Sequence, residues 1–234
     1  MQLAWVVLWA VVIALVCFLL AVIFRSGGWR RYPFLALYLS AAAASELVAL
    51  VIYSRVGNAE SHLYAMFYWT DDIALHGLIL LMVLFLIREA LVGNRGLDMA
   101  GTIIFTLVVI FVGVTLYLLY HPSQSGYYWI YPLSRNLSFC EEILNFVLWT
   151  ILIRNRTREV VLLLVSAGLG IQVTGEVIGR SVGLVLAYQP EYAWVTQAIT
   201  MICQTGALYV WYRGFQAFSR KAAEARQSRP NPAV

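Results

Sequence analysis

The sequence predicts an all-α integral membrane protein built as a bundle of seven transmembrane helices. Three observations predict it. The chain of 234 residues is 62% hydrophobic and only 12% charged, about half the charged share of a soluble domain, which leaves too little polar surface to coat a water-soluble globule. Its apolar residues fall in seven continuous runs, each near the roughly 20 residues that a helix needs to cross hydrocarbon. Its basic residues gather between the runs on alternate connections and form no dense patch of the kind that binds nucleic acid.

The runs cover residues 3–24, 33–53, 63–87, 99–120, 127–153, 160–186 and 192–212. They are continuous rather than alternating, which argues against membrane strands. The first has no basic residues ahead of it and no small-x-small cleavage site behind it, so it reads as a span and not a cleaved signal. The second and fifth carry Pro33 and Pro132 near their starts, where a missing N–H is tolerated. The small residues of "AAAAS" (41–45) and "SAGLG" (166–170) let helix backbones approach. Gly101, Gly113 and the glycines of the sixth run mark the places where a helix could break. The six connections are 11 residues or fewer, so consecutive helices are antiparallel neighbours with no room for a soluble domain. Residues 1–213 form the bundle, and 214–234 a basic cytoplasmic tail of frayed helix and disorder. Cys17, Cys140 and Cys203 each lie in an apolar run with no C-x-x-C spacing, as buried small hydrophobes do.

Orientation follows from the excess of Lys and Arg on cytoplasmic connections. With the N-terminus outside, 13 of the 16 basic residues face the cytoplasm, the exceptions being Arg55, Arg135 and Arg180. The C-terminus is then cytoplasmic. Tyr64, Tyr68, Tyr117, Tyr120, Tyr127, Tyr128, Trp129, Tyr131, Tyr188, Tyr192 and Trp194 crowd the outer ends, as expected of an interfacial aromatic belt.

Ionisable groups inside spans are costly and face the bundle interior or water. Placed at 1.5 Å per residue, Glu46, Asp71, Asp72, His76, Arg135, Glu141, Glu142, Glu176 and Arg180 all lie near the midplane or in the outer half. Six acids against two arginines leave four net negative charges, which a low-dielectric interior does not hold without protons, water or a bound cation. Adjacent helical residues point about 100° apart. Asp72 shares a face with His76 and Asp71 points elsewhere, toward a neighbour or lipid-edge water. Glu176 shares a face with Arg180, Gln172 lies one turn below, and Arg135 faces the same way as Glu142. Gln197, Thr200 and Gln204 line one face of the seventh span. The polar core or ligand site is therefore assigned to Glu46, Asp72, His76, Arg135, Glu142, Glu176, Arg180, Gln197 and Gln204. Four uses stay open: interhelical glue, a ligand or sensing pocket, an ion or proton path, and a catalytic or metal site.

No histidine pair has the spacing of a helical metal site, since His62 and His121 fall in outer connections. No serine sits in a nucleophile elbow. The expectation is therefore no catalytic residue, no metal ligand and no cofactor. The only lysine, Lys221, lies in the tail, so the seventh span has no Schiff-base lysine, which argues against a retinal protein. The third span, with Tyr68, Trp69, Asp72 and a closing Glu89, resembles that of an uncharacterised, acidobacterial-type family of bacterial seven-span proteins. More loosely, the bundle is similar to the seven-span sensory regions of bacterial histidine kinases. No kinase or cyclase domain follows in this sequence, so that resemblance implies a signal passed to a separate partner.

The expected function is that of a receptor-like, sensor-like or accessory protein of a bacterial cytoplasmic membrane, with an outward-facing polar pocket. Its partners are the lipid bilayer, a small ligand from outside, and a membrane or cytoplasmic protein. The alternatives are a small-solute, ion or proton transporter and a structural subunit of a membrane complex. A transporter needs a polar route through both halves, and the inner halves of these runs are apolar.

Overall fold

In hydrocarbon every backbone N–H and C=O must find its partner within the protein, and a helix achieves this segment by segment. The computed structural model describes residues 2–56, 62–91, 98–119, 130–156, 159–185 and 193–227, with the side chains of 10–52, 66–91, 99, 101–119, 130, 132–156, 159–183, 185 and 194–220. The described residues form seven α-helices: α1 (Gln2–Ser26), α2 (Pro33–Val56), α3 (His62–Leu91), α4 (Asp98–Leu119), α5 (Ile130–Arg154), α6 (Val160–Val185) and α7 (Ala193–Gln227). Every apolar run of the sequence is met by one of them. A 3-10 turn, Gly28–Arg30, joins α1 to α2.

Five helices contain stretches long and apolar enough to cross a membrane: Pro33–Ile52, Met66–Leu91, Gly101–Leu119, Pro132–Arg154 and Val160–Gly183. They make a multi-pass membrane protein the natural description of this fold. The described side chains of α1 add a shorter apolar stretch, Ala10–Ser26. Helix α7 is more dilute, carrying Thr196, Gln197, Thr200, Gln204 and Thr205, and it passes Arg213 without a break to end at Gln227. Residues 228–234 lie outside the described chain, as do the side chains of His62, His121 and most of the aromatic belt. The belt members that are described, Tyr68, Tyr117 and Trp194, are all exposed.

The helices close a ring in the order α1, α2, α3, α5, α6, α7 and back to α1, while α4 packs outside it against α3 and α5. Accordingly α4 buries Val108 and Thr115 but exposes Ile103, Phe105, Leu107, Val109 and Ile110. An apolar outer surface of this kind suits lipid contact.

The tightest seam joins α6 to α7. A Cβ at Gly168 would overlap the Trp211 ring, and one at Gly175 would overlap Cys203 Cβ. Thr200 presses on Gly179 in the same way, whereas Thr196 lies in ordinary contact with Gly183. Gly168, Gly175 and Gly179 are therefore seats for α7, Gly170 faces Asn145 of α5, and α6 is continuous through them all. Trp211 Nε1 donates to the Val165 carbonyl at 2.9 Å and stands edge-on to Tyr38 at 6.4 Å.

One end of the bundle is tied by polar contacts between connections. Arg31 reaches Glu89 at 3.0 Å and Glu159 at 3.1 Å, and Asn155 Nδ2 donates to the Ala90 carbonyl at 3.0 Å. Phe215 fills the space beside Gly28 and meets Tyr32 edge-on at 6.0 Å. These contacts place the α1–α2 connection, the end of α3, the α5–α6 connection and the middle of α7 together. Arg25, Arg30, Arg31, Arg88, Arg154, Arg156, Arg213 and Arg220 lie on the same segments, so this is the basic end. Just inside it, Leu35, Leu39, Val83, Leu86, Leu148, Leu152, Val165, Leu169, Trp211 and Phe215 are buried in one apolar core.

The seam makes a direct prediction. Gly175→Ala forces Cβ into Cys203 and should destabilise by about 1–3 kcal/mol, the usual cost of overpacking. Gly206→Ala meets only Ile171 Cγ2 at 3.6 Å, so helix propensity leaves it neutral or stabilising by up to about 1 kcal/mol. Thermal unfolding in one detergent checks the ranking; equal midpoints would refute the close approach at Gly175.

Candidate functional site

In the half of the bundle away from the basic end, three helices turn polar side chains onto one another. Their spacing explains how. On α3, Asp72 and His76 are one turn apart. On α5, Ser134, Ser138 and Glu141 follow at i, i+4 and i+7 and so share a face. On α6, Gln172, Glu176 and Arg180 recur every fourth residue. The stripes face one another across the interior, where polar groups at this depth find partners among themselves.

Arg180 is the hub. Its Nη2 donates to Asp72 Oδ1 at 2.7 Å and its Nη1 to Ser134 Oγ at 2.7 Å. Ser134 Oγ in turn donates to Asp72 Oδ2, so one hydroxyl from α5 bridges the ion pair between α3 and α6. Arg180 Nη2 also lies 2.8 Å from His76 Nε2. His76 Nδ1 faces both oxygens of Glu141, at 3.0 and 3.1 Å. Ser138 Oγ is 3.3 Å from Nε2, and Gln172 Nε2 donates to Glu176 Oε1 at 2.9 Å. Glu176 Oε2 stands 3.9 Å from His76 Nε2.

These contacts fix the histidine. A guanidinium only donates, so Nε2 at 2.8 Å from Arg180 must carry its lone pair. The ring proton is then on Nδ1, where Glu141 accepts it. His76 is neutral in this arrangement, and three carboxylates (Asp72, Glu141, Glu176) face a single arginine. Ionised together they leave two net negative charges. Glu141 is fully buried, at 0% exposure, and His76 is at 2%. An excess charge this deep needs a proton, water or a cation to balance it.

The donor set also bears on metals. His76, Glu141 and Glu176 can each offer a ligand atom within 4.8 Å of the others. Glu141 holding Nδ1 is the arrangement that orients a metal-ligating histidine through Nε2. The Arg180 guanidinium stands on that lone pair, so an ion at Nε2 requires it to swing aside.

The sequence-assigned residues divide. Asp72, His76, Glu176 and Arg180 come together. Arg135 is exposed, and Glu142 is half-buried and accepts from Thr174 Oγ1 of α6 at 3.0 Å. Their expected pairing does not form among the described contacts, because residues seven apart on a helix lie about 10 Å apart along its axis. Gln197 is exposed and Gln204 half-buried, and neither is bonded to the network among the described residues. Thr196, Thr200 and Cys203 take the α6-facing side of α7, which turns Gln197 away. Glu46 is half-buried on α2, the helix whose Ser45 hydrogen-bonds Asp71. Asp71 therefore points to a neighbouring helix, away from Asp72, as the 100° step requires.

Glu141, Ser134 and Ser138 were missing from the sequence assignment. The signal for them was present, since the serines step onto Glu141 and not onto Glu142. Comparison with family models, curated proteins and solved structures finds no match to this chain.

Removing the hub should be costly. Arg180→Gln leaves Asp72 without its cation, a loss of about 3–5 kcal/mol by analogy with broken buried pairs. Ser134→Ala should cost about 1 kcal/mol, since interhelical hydrogen bonds in membranes average roughly 0.6. Exposed Arg135→Gln should stay within about 0.5 kcal/mol of the parent. Thermal midpoints of the three variants test the order; an Arg135 variant that melts with or below the Arg180 variant would show that the hub is misplaced.

Proposed function

We propose that this chain is a receptor-like or accessory protein of a bacterial cytoplasmic membrane, crossing it seven times with the N-terminus outside. Its responsive element is the network of Asp72, His76, Glu141, Glu176 and Arg180. The observation that carries this reading is the excess of negative charge in one cluster, where Asp72 is hydrogen-bonded to Arg180, Glu141 to His76, and Glu176 stands 3.9 Å from His76. Such a network changes when a proton or small cation enters, because that is the species it lacks. The outer half is the side of entry, given that the described basic residues gather at the opposite end.

Transport is the weaker alternative. Between the network and the basic end, α3 presents Val83 and Leu86, α5 Leu148 and Leu152, and α6 Leu162, Val165 and Leu169, all buried. The buried polar side chains at this level, among the described residues, are Asn145 and Ser166, and Ser166 bonds its own helix at Leu163. An apolar seal of this depth supports a closed site that registers a solute without passing it. In this proposal the signal passes to a protein partner at the basic end, as the looser resemblance to the sensory regions of bacterial histidine kinases would imply.

Two measurements test the reading. In proteoliposomes the protein should carry no proton or cation flux above that of empty vesicles. In detergent, at least one inorganic or small organic cation should raise the thermal midpoint, and Asp72→Asn or Glu176→Gln should remove that response. Flux abolished by His76→Ala would make the protein a transporter. Absence of any cation response would leave the network as structural glue.

A further inference from the structure

Away from the polar network, α3 and α4 diverge at the basic end and leave a cavity of about 560 Å³, within the roughly 300–1,000 Å³ of ligand sites. Leu84, Ile87 and Leu91 form one wall and Phe105 the other. Gly101 leaves the α4 side bare, where an added Cβ would meet only Leu91 Cδ1 at 3.4 Å. Arg88 stands at the mouth, exposed. Its neighbour Glu89 is committed to Arg31 at 3.0 Å, and among the described residues no acid pairs with Arg88.

We infer that this groove holds one anionic phospholipid, with an acyl chain between α3 and α4 and the phosphate on Arg88. Three physical reasons converge. The lining spans the last two turns of α3 and the first two of α4, about 10 Å at 1.5 Å per residue, which is the depth of the headgroup and upper acyl region. Only Thr102 and Arg88 are polar in a lining otherwise of Leu84, Ile87, Leu91, Gly101 and Phe105, too few partners to fill the gap with water, and an empty gap forfeits dispersion contact on one side. Hydrocarbon fills it at no such loss. The guanidinium then supplies paired donors to phosphate oxygens, and basic pockets between membrane helices select anionic headgroups. A protein helix is a poorer occupant, since the groove is only about two turns long.

Native mass spectrometry of the purified chain tests this with phosphatidylglycerol and phosphatidylcholine of identical acyl chains. The parent should retain one phosphatidylglycerol about fivefold more strongly than phosphatidylcholine, the factor expected of one basic residue near an anionic group. Arg88→Gln should abolish the preference and keep the phosphatidylcholine level. Gly101→Leu, which fills the groove, should lower retention of both. Arg30→Gln and Arg154→Gln remove charges from the same end outside the groove and should leave the preference intact. Equal retention of the two lipids by the parent would overturn the site. So would a preference that survives Arg88→Gln, or one that falls equally with Arg30 or Arg154, which would mean diffuse surface attraction. Should Gly101→Leu fail to fold, the Arg88 comparison decides alone.

Discussion

The Arg180 guanidinium is the interaction on which the interior of this bundle depends. It is the one cation among the described residues of the network, and from α6 it touches groups of both α3 and α5. In water such contacts would be worth little, because solvent competes for every charge. Inside a bundle the alternative to Asp72 and Ser134 is hydrocarbon, so the contacts set the rotation of α3, α5 and α6 about their axes. A rotation of one residue, about 100°, would carry Asp72 or Glu141 toward lipid.

Two kinds of packing share the work. At the α6–α7 seam, glycines allow backbones to approach until Trp211 and Cys203 lie against α6. Between lipid-facing helices there is no hydrophobic drive, so such close contact supplies the attraction. At the basic end, aromatic edges and the Arg31 contacts to Glu89 and Glu159 join connections that are far apart in sequence. Those ion pairs are solvent-exposed, with Arg31 at 43%, and contribute at most about 1 kcal/mol. They register the connections and do not hold the bundle together. Helix α4 takes little part in either kind of packing, which is why a groove opens beside it.

The network and the apolar core beneath it together give the protein its functional character. Polar groups concentrate in one half, and leucine, valine and aromatic side chains close the other. In the proposed reading, a charge change above the core alters how α3, α5 and α6 sit against each other without opening a path through the membrane. Glu141 is central to that coupling because it is the most buried acid and holds the histidine whose other nitrogen meets Arg180.

Much of this was legible in the residues alone. Apolar run lengths called for seven helices and the described residues form seven, five of them with stretches long and apolar enough to cross a membrane, because hydrocarbon thickness sets the length of a spanning helix. The alternating charge bias gathered the arginines at one end. Helical spacing separated Asp71 from Asp72 and joined Asp72 to His76. Tertiary structure decided the rest, since spacing defines the faces of one helix but not which face meets which neighbour. Only the packed bundle chose Glu141 over Glu142, turned Arg135 and Gln197 outward, and made Gly168, Gly175 and Gly179 into seats for α7. It did so because each helix has one rotation that satisfies its buried charges and its close contacts at once, and that rotation depends on every other helix.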